Sequence, residues 1–112
     1  MQRGEIWWAD LPKPDKSEPG FRRPVLIIQN NLFNKSKINT VICCIITSNL
    51  QLGKAPGNII LAKDNSKLPK KSVVNVSQIV TLDKRFLSEY VSTLSKRLID
   101  QVESGIKLVL NL

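Results

Sequence analysis

Six consecutive apolar residues, Val41-Ile42-Cys43-Cys44-Ile45-Ile46, flanked by Thr40 and Thr47, constrain this chain more than any other feature. Strand residues alternate between two faces, so a run that is apolar at every position needs cover on both sides. Residues 40–47 therefore read as a central strand. Other strands can be placed around it. Residues 5–10 form one that carries Trp7 and Trp8 on opposite faces, one for the core and one for a groove or interface. Residues 24–29 form the next, opened by Pro24, which lacks a backbone N–H and suits a strand's first position. Residues 58–62 make a short strand, and residues 72–76 another that bends or continues through Gln78-Ile79-Val80-Thr81. Asp83 is placed to cap one turn through Phe86 and Leu87, and residues 91–94 read as an edge strand. The period then changes. Leu98, Val102, Ile106 and Val109, with Ile99 and Leu110 beside them, recur at helical spacing behind Ser95 as N-cap. Gly105 weakens that helix by about 1 kcal/mol relative to alanine.

The expected fold is mainly β with minor α: a small, strongly bent antiparallel sheet or barrel with a C-terminal helix over one side. Without repeat, linker or low-complexity tract, residues 1–112 read as a single domain. Apolar residues are too few for two separate cores, which makes dimerisation a natural way to cover a remaining apolar face.

The formal net charge of +8 and a pI near 9.8 favour polyanionic partners, nucleic acid first and an acidic protein segment second. A soluble surface rich in lysine has the same composition. Histidine is absent, so phosphodiester chemistry here has no histidine acid–base pair. Cys43 and Cys44 are the only cysteines and point to opposite faces, which disfavours a mutual disulfide or joint metal ligation. No metal or cofactor is expected. Buried thiols suit a reducing cytoplasm. No stretch reads as a signal peptide or membrane span, and Met1-Gln2-Arg3-Gly4 leads straight into the first strand.

Chemistry concentrates at Phe21-Arg22-Arg23-Pro24. Pro24 pushes Arg23 into an extended conformation, so a rigid strand fixes its guanidinium. Residues 13–20 before it are polar and long enough to fold over a site. An arginine near a carboxylate at a barrel rim can hold an anionic substrate.

These motifs, in this order, resemble the MazF/PemK (Kid) toxin family, the ribonuclease half of type II toxin–antitoxin pairs. Residues 3–11, RGEIWWADL, are similar to the family's opening strand, and residues 17–30, SEPGFRRPVLIIQN, to its active-site loop and second strand. Ile46-Thr47-Ser48, Ser72-Val73-Val74 with Gln78-Ile79, and residues 81–85, TLDKR, continue the likeness down the chain. The resemblance implies an SH3-like barrel homodimer, related in fold to CcdB, that cuts single-stranded RNA without a metal. Attack by the ribose 2′-hydroxyl would leave a 2′,3′-cyclic phosphate and a 5′-hydroxyl. It implies Arg23 and Thr47 as the catalytic pair with Glu18 close by, and a cognate acidic antitoxin. Three positions depart from the family pattern: Pro19 where Gln is frequent, Ser77 where Glu is, and Val80 where Arg is.

Arg23 can donate two hydrogen bonds to a scissile phosphate and stabilise charge growing in the transition state; the bland alternative is a salt bridge to Glu18. Thr47 offers a hydroxyl to a phosphate oxygen, or is simply a β-former at a strand end, and Ser48 could assist it. Glu18 is either the general base toward the 2′-hydroxyl or an orienter of Arg23. Arg22 is a backbone-phosphate contact or a solvated charge. Asn30 and Gln78 are candidates for reading base edges, or ordinary turn and strand-end residues. Lys54, Lys63, Lys67, Lys70 and Lys71 can track phosphates. Two other functions suit the same barrel. One is a toxin that poisons DNA gyrase by binding it, although the tryptophan such proteins present near the C-terminus is missing from Val109-Leu110-Asn111-Leu112. The other is a non-catalytic RNA-binding barrel, although such binders stack bases on several exposed aromatics.

Overall fold

The computed structural model of the chain describes residues 1–11 and 21–112. Six strands, β1 (Glu5–Leu11), β2 (Phe21–Ile27), β3 (Thr40–Thr47), β4 (Ile59–Leu61), β5 (Ser72–Asp83) and β6 (Leu87–Thr93), form one sheet in the order β4-β5-β3-β2-β1-β6. Every pairing among the described residues is antiparallel. The sheet curls into a half-barrel whose edges are β4 and β6, as the expected bent sheet requires. Its sharpest bend lies in β5. There Cys44 pairs with Ile79 but its neighbour Ile45 pairs with Asn75, so three extra residues of β5 are accommodated at one step of β3. The strand therefore both bends and continues.

The apolar run did become the central strand, β3, between β2 and β5. Cys43 and Cys44 face different clusters, as neighbours on a strand must. One cluster gathers Ile6, Leu26, Cys44, Ile46, Val74 and Val76 beneath helix α3 (Lys96–Leu110), which contributes Leu98 and Val102. The other gathers Ala9, Val25, Ile27, Val41, Cys43 and Ile45, closed by Leu82 near the end of β5, Leu87 at the start of β6 and Phe86 from the connection between them. Two cores are thus present where one was expected, because the curled sheet folds its own connection over the second face. Ile42 departs from the pattern and is 37% exposed. It shares a face with Cys44 and Ile46 but extends past their cover.

Strand β2 starts at Phe21, not at Pro24, and stops at Ile27. Residues Phe21 to Pro24 pair only with β1, because the β3 ladder begins at Val25. A residue without an N–H is tolerated on that open side. Segments read as loops contain single turns: α1 (Asn31–Asn34), a 3₁₀ turn at Leu50–Lys54 and α2 (Lys63–Ser66). The caps fall where the sequence put them. Asp83 accepts from the Arg85 N–H at 2.9 Å, and Ser95 accepts from the Leu98 N–H at 3.3 Å. The last turn of α3 leaves its apolar periodicity unused, with Val109 and Leu110 exposed. No helix among the described residues is long and apolar enough to cross a membrane.

Candidate active site

Antiparallel pairing brings the start of β2 and the end of β3 to the same end of the sheet. Ala9 pairs with Arg23 and Trp8 with Pro24, while Thr47 pairs with Val73 near the start of β5. Arg22, Arg23, Thr47, Ser48 and Lys70 all line one cavity of about 650 Å³. Five of the twelve residues singled out in the sequence for catalysis or RNA binding thus line one cavity, Arg22, Arg23 and Thr47 from strands and Ser48 and Lys70 from the segments that flank strand ends. A cleft of this volume admits a nucleotide-sized ligand.

Arg23 is exposed, and its Cζ lies 5.3 Å from the centroid of Phe21. The ring supports one face of the guanidinium while the N–H edge stays available to a phosphate. Among the described residues Arg23 pairs with no carboxylate. Thr47 is half-buried, and its Oγ1 accepts a hydrogen bond from the Asn49 backbone N–H at 3.1 Å. That bond holds the hydroxyl at the strand end and leaves its proton for donation. Ser48 is exposed beside it.

Arg22 is more engaged than either sequence reading allowed. Its guanidinium reaches Glu89 at 2.7 Å, approaches Asp10 at 3.9 Å and lies over the Trp8 ring at 5.1 Å. Trp8 lines the cavity, which makes it the tryptophan expected at a groove. Trp7 packs against the opposite cluster, donates to Glu5 at 2.9 Å and meets Tyr90 edge-on.

Asn30, Gln78, Lys54, Lys63, Lys67 and Lys71 do not line this cavity. Asn30 follows β2, seven residues beyond Arg23 and so roughly 20 Å along an extended chain. Its side chain caps α1 by accepting from the Leu32 N–H at 2.8 Å. Gln78 accepts from Asn75 at 3.1 Å, joining a polar group with Asn58 and Ser77 on the bend of β5. Lys54 ends the 3₁₀ turn after β3 and is exposed. Glu18 and the rest of residues 12–20 lie outside the described residues.

The sequence reading missed part of the wall: Phe21, Leu68, Pro69 and Ser72. Phe21 carried a signal, an aromatic two places from Arg23 on the same strand face. The others arrive through the long-range pairing of Thr47 with Val73, which local pattern does not encode. Ser72 Oγ donates to the Lys70 carbonyl at 2.8 Å and so ties the lysine's backbone to the start of β5. No group of three or more His, Cys, Asp or Glu among the described residues is placed to hold a metal ion. The arrangement can grip an anion with guanidinium, hydroxyl and ammonium groups against an apolar floor.

A family model described as PemK-like, MazF-like toxin of type II toxin–antitoxin systems matches residues 2–110. Endoribonuclease MazF6 of Mycobacterium tuberculosis is 46% identical over 112 residues, covering 100% of this chain and 98% of the relative. Endoribonuclease MazF of Staphylococcus saprophyticus is 40% identical, covering 100% of this chain and 92% of its own length. Among solved structures, an endoribonuclease in complex with its cognate antitoxin from a mycobacterial species superposes with a TM-score of 0.82. It covers 100% of this chain and 96% of its own, at 21% identity, a likeness of fold. On the whole-length family match and the identity to these relatives, the chain belongs to the PemK-like, MazF-like toxins of type II toxin–antitoxin systems.

Proposed function

We propose that this chain is an endoribonuclease and the toxin half of a type II toxin–antitoxin pair, cutting single-stranded RNA in the cavity between β2 and β3. The observation that carries the reading is that Arg23, Thr47, Ser48 and Lys70 line one cavity. The 2′-hydroxyl oxygen attacks the adjacent phosphorus and the P–O5′ bond breaks, giving a 2′,3′-cyclic phosphate and a 5′-hydroxyl. Arg23 donates to the non-bridging oxygens, where charge grows. The Thr47 hydroxyl donates to one of them. Glu18 either takes the 2′-hydroxyl proton, or orients Arg23 while water takes that proton, and O5′ takes a proton from water as it leaves. Arg22, Ser48 and Lys70 hold neighbouring phosphates. Asn30, Gln78 and Lys54 would touch RNA only beyond the cavity. No metal or cofactor takes part.

The protein acts in the cytoplasm as a homodimer, restrained by an acidic antitoxin segment that folds on binding and occupies the same basic surface. Two curated relatives carry endoribonuclease names, and one structural neighbour is a complex with its antitoxin, which supports the reading. The test is purified protein incubated with labelled single-stranded RNA and, separately, with DNA gyrase. Cleavage of the RNA with no effect on gyrase supports the proposal. Gyrase inhibition without RNA cleavage overturns it, and RNA binding without cleavage reduces it to a binding module.

A further inference from the structure

The cavity is electrically lopsided. On its β1–β6 side Arg22 is drawn to Glu89 and Asp10, so that wall offers a positive charge already answered by two carboxylates. The other side ends at Pro69 and Lys70, and these two residues also line a second depression of about 590 Å³. Its remaining walls are Ala62, Lys63, Asp64 and Lys71. Three lysines there face one carboxylate.

Backbone register brings the lysines' main chains together. Leu61 pairs with Ser72 across β4 and β5, so Lys63, two residues after Leu61, and Lys71, one before Ser72, emerge from adjoining strand ends. Ser72 further ties Lys70 through its carbonyl. A phosphate-bearing strand that leaves the first cavity finds Arg22 already paired with carboxylates on one side and the exposed ammonium groups of Lys63, Lys70 and Lys71 on the other.

We propose that the Lys63–Lys71 depression is a second phosphate subsite, which holds the stretch of single-stranded RNA running off the cleavage cavity over Pro69 and Lys70. The inference rests on the ribonuclease reading and adds a direction to the RNA path. Its ligand is the sugar–phosphate backbone, so it carries no base preference. Lys70 belongs to both depressions and bridges them. Asp64 weakens the grip it shares space with.

The experiment measures binding of two RNA oligomers, one short enough for the cavity alone and one extended at both ends, across a range of salt concentrations. The proteins are wild type, Lys63→Gln with Lys71→Gln, and a control of equal charge loss, Lys35→Gln with Lys37→Gln. The control residues lie on the β2–β3 connection, at the opposite end of those strands from the cavity. Circular dichroism checks that all three are folded. For the long oligomer the Lys63/Lys71 variant should lose about 1.4 from the slope of log affinity against log salt, since each phosphate contact on a single strand contributes about 0.7. The short oligomer and the control should be unchanged, and Asp64→Asn should strengthen binding of the long oligomer only. An unchanged long-oligomer slope, or an equal loss with the short oligomer or the control, overturns the subsite. Cleavage is scored in parallel: wild-type protein that binds both oligomers and cuts neither counts against the ribonuclease reading, while the binding comparison still decides the subsite.

Discussion

The Arg22 guanidinium lies 5.1 Å from the centroid of Trp8 while one of its nitrogens sits 2.7 Å from Glu89. The side chain thus crosses from β2 over β1 to β6, and Ser88 at 3.4 Å adds a longer contact. All the charges are largely exposed, so the ion pair contributes less than about 1 kcal/mol to stability. Its larger effect is on RNA. Glu89→Gln should release Arg22 toward phosphate and raise RNA affinity a few-fold at low salt, with the gain fading as ions screen the contact. Binding at two salt concentrations, with thermal melting to confirm unchanged stability, checks this.

Gly105 and Gly57 set a second expectation. A Cβ built on Gly105 would lie 2.2 Å from the Gly57 carbonyl oxygen, and Gly57 itself sits at φ +82. Helix propensity alone makes Gly105→Ala stabilising by about 1 kcal/mol. The steric cost of forcing a methyl into this contact is about 1–3 kcal/mol and should win. Urea unfolding should show Gly105→Ala less stable than wild type. Ser104→Ala, on the exposed side of the same helix, should be neutral or better.

The two thiols should be inert in the folded protein. Burial pushes Cys43 up to about 12, with the neighbouring Cys44 adding to the shift, and burial alone pushes Cys44 to about 12. At pH 8 iodoacetamide should label neither in native protein and both in urea. The raised values stabilise the fold fully below the unfolded thiol range, near 9. That contribution is lost as pH rises through about 12. Mass spectrometry of native protein that takes up label quickly would contradict the packing.

Legibility in the sequence followed locality. The run ending at Thr47-Ser48 gave β3 its bounds, since composition switches abruptly there, and Asp83 and Ser95 announced their turns because a cap acts within three residues. Arg23, Thr47, Ser48 and Lys70 were legible as candidates, and strand register brought them together. Pairing partners far along the chain were not. The Thr47–Val73 pair supplies Ser72 and Pro69 to the wall, and the β1-only pairing of Phe21–Pro24 lets a proline sit inside a strand. Asn30 lies beyond the cavity, and its carboxamide oxygen caps α1.

Glu18 carries its own expectation. As general base it would make Glu18→Gln slow the reaction sharply with little change in RNA affinity. The wild-type rate would rise with pH through a carboxylate range, since no histidine exists to titrate nearer neutrality. A flat pH–rate profile together with a fully active Glu18→Gln protein assigns the chemistry to Arg23 and Thr47 alone.

The measurement that bears most directly on the account is the single-turnover cleavage rate of labelled RNA in excess EDTA for wild type, Arg23→Ala and Arg23→Lys, with the new ends analysed. Wild type should cut and leave 2′,3′-cyclic phosphates. Both variants should fold normally and lose cleavage by a factor on the order of 100 or more, the lysine because an ammonium cannot reproduce two-point contact with a phosphate. Cleavage that stops in EDTA and returns with magnesium, or an Arg23→Ala protein that cuts at the wild-type rate, would contradict it.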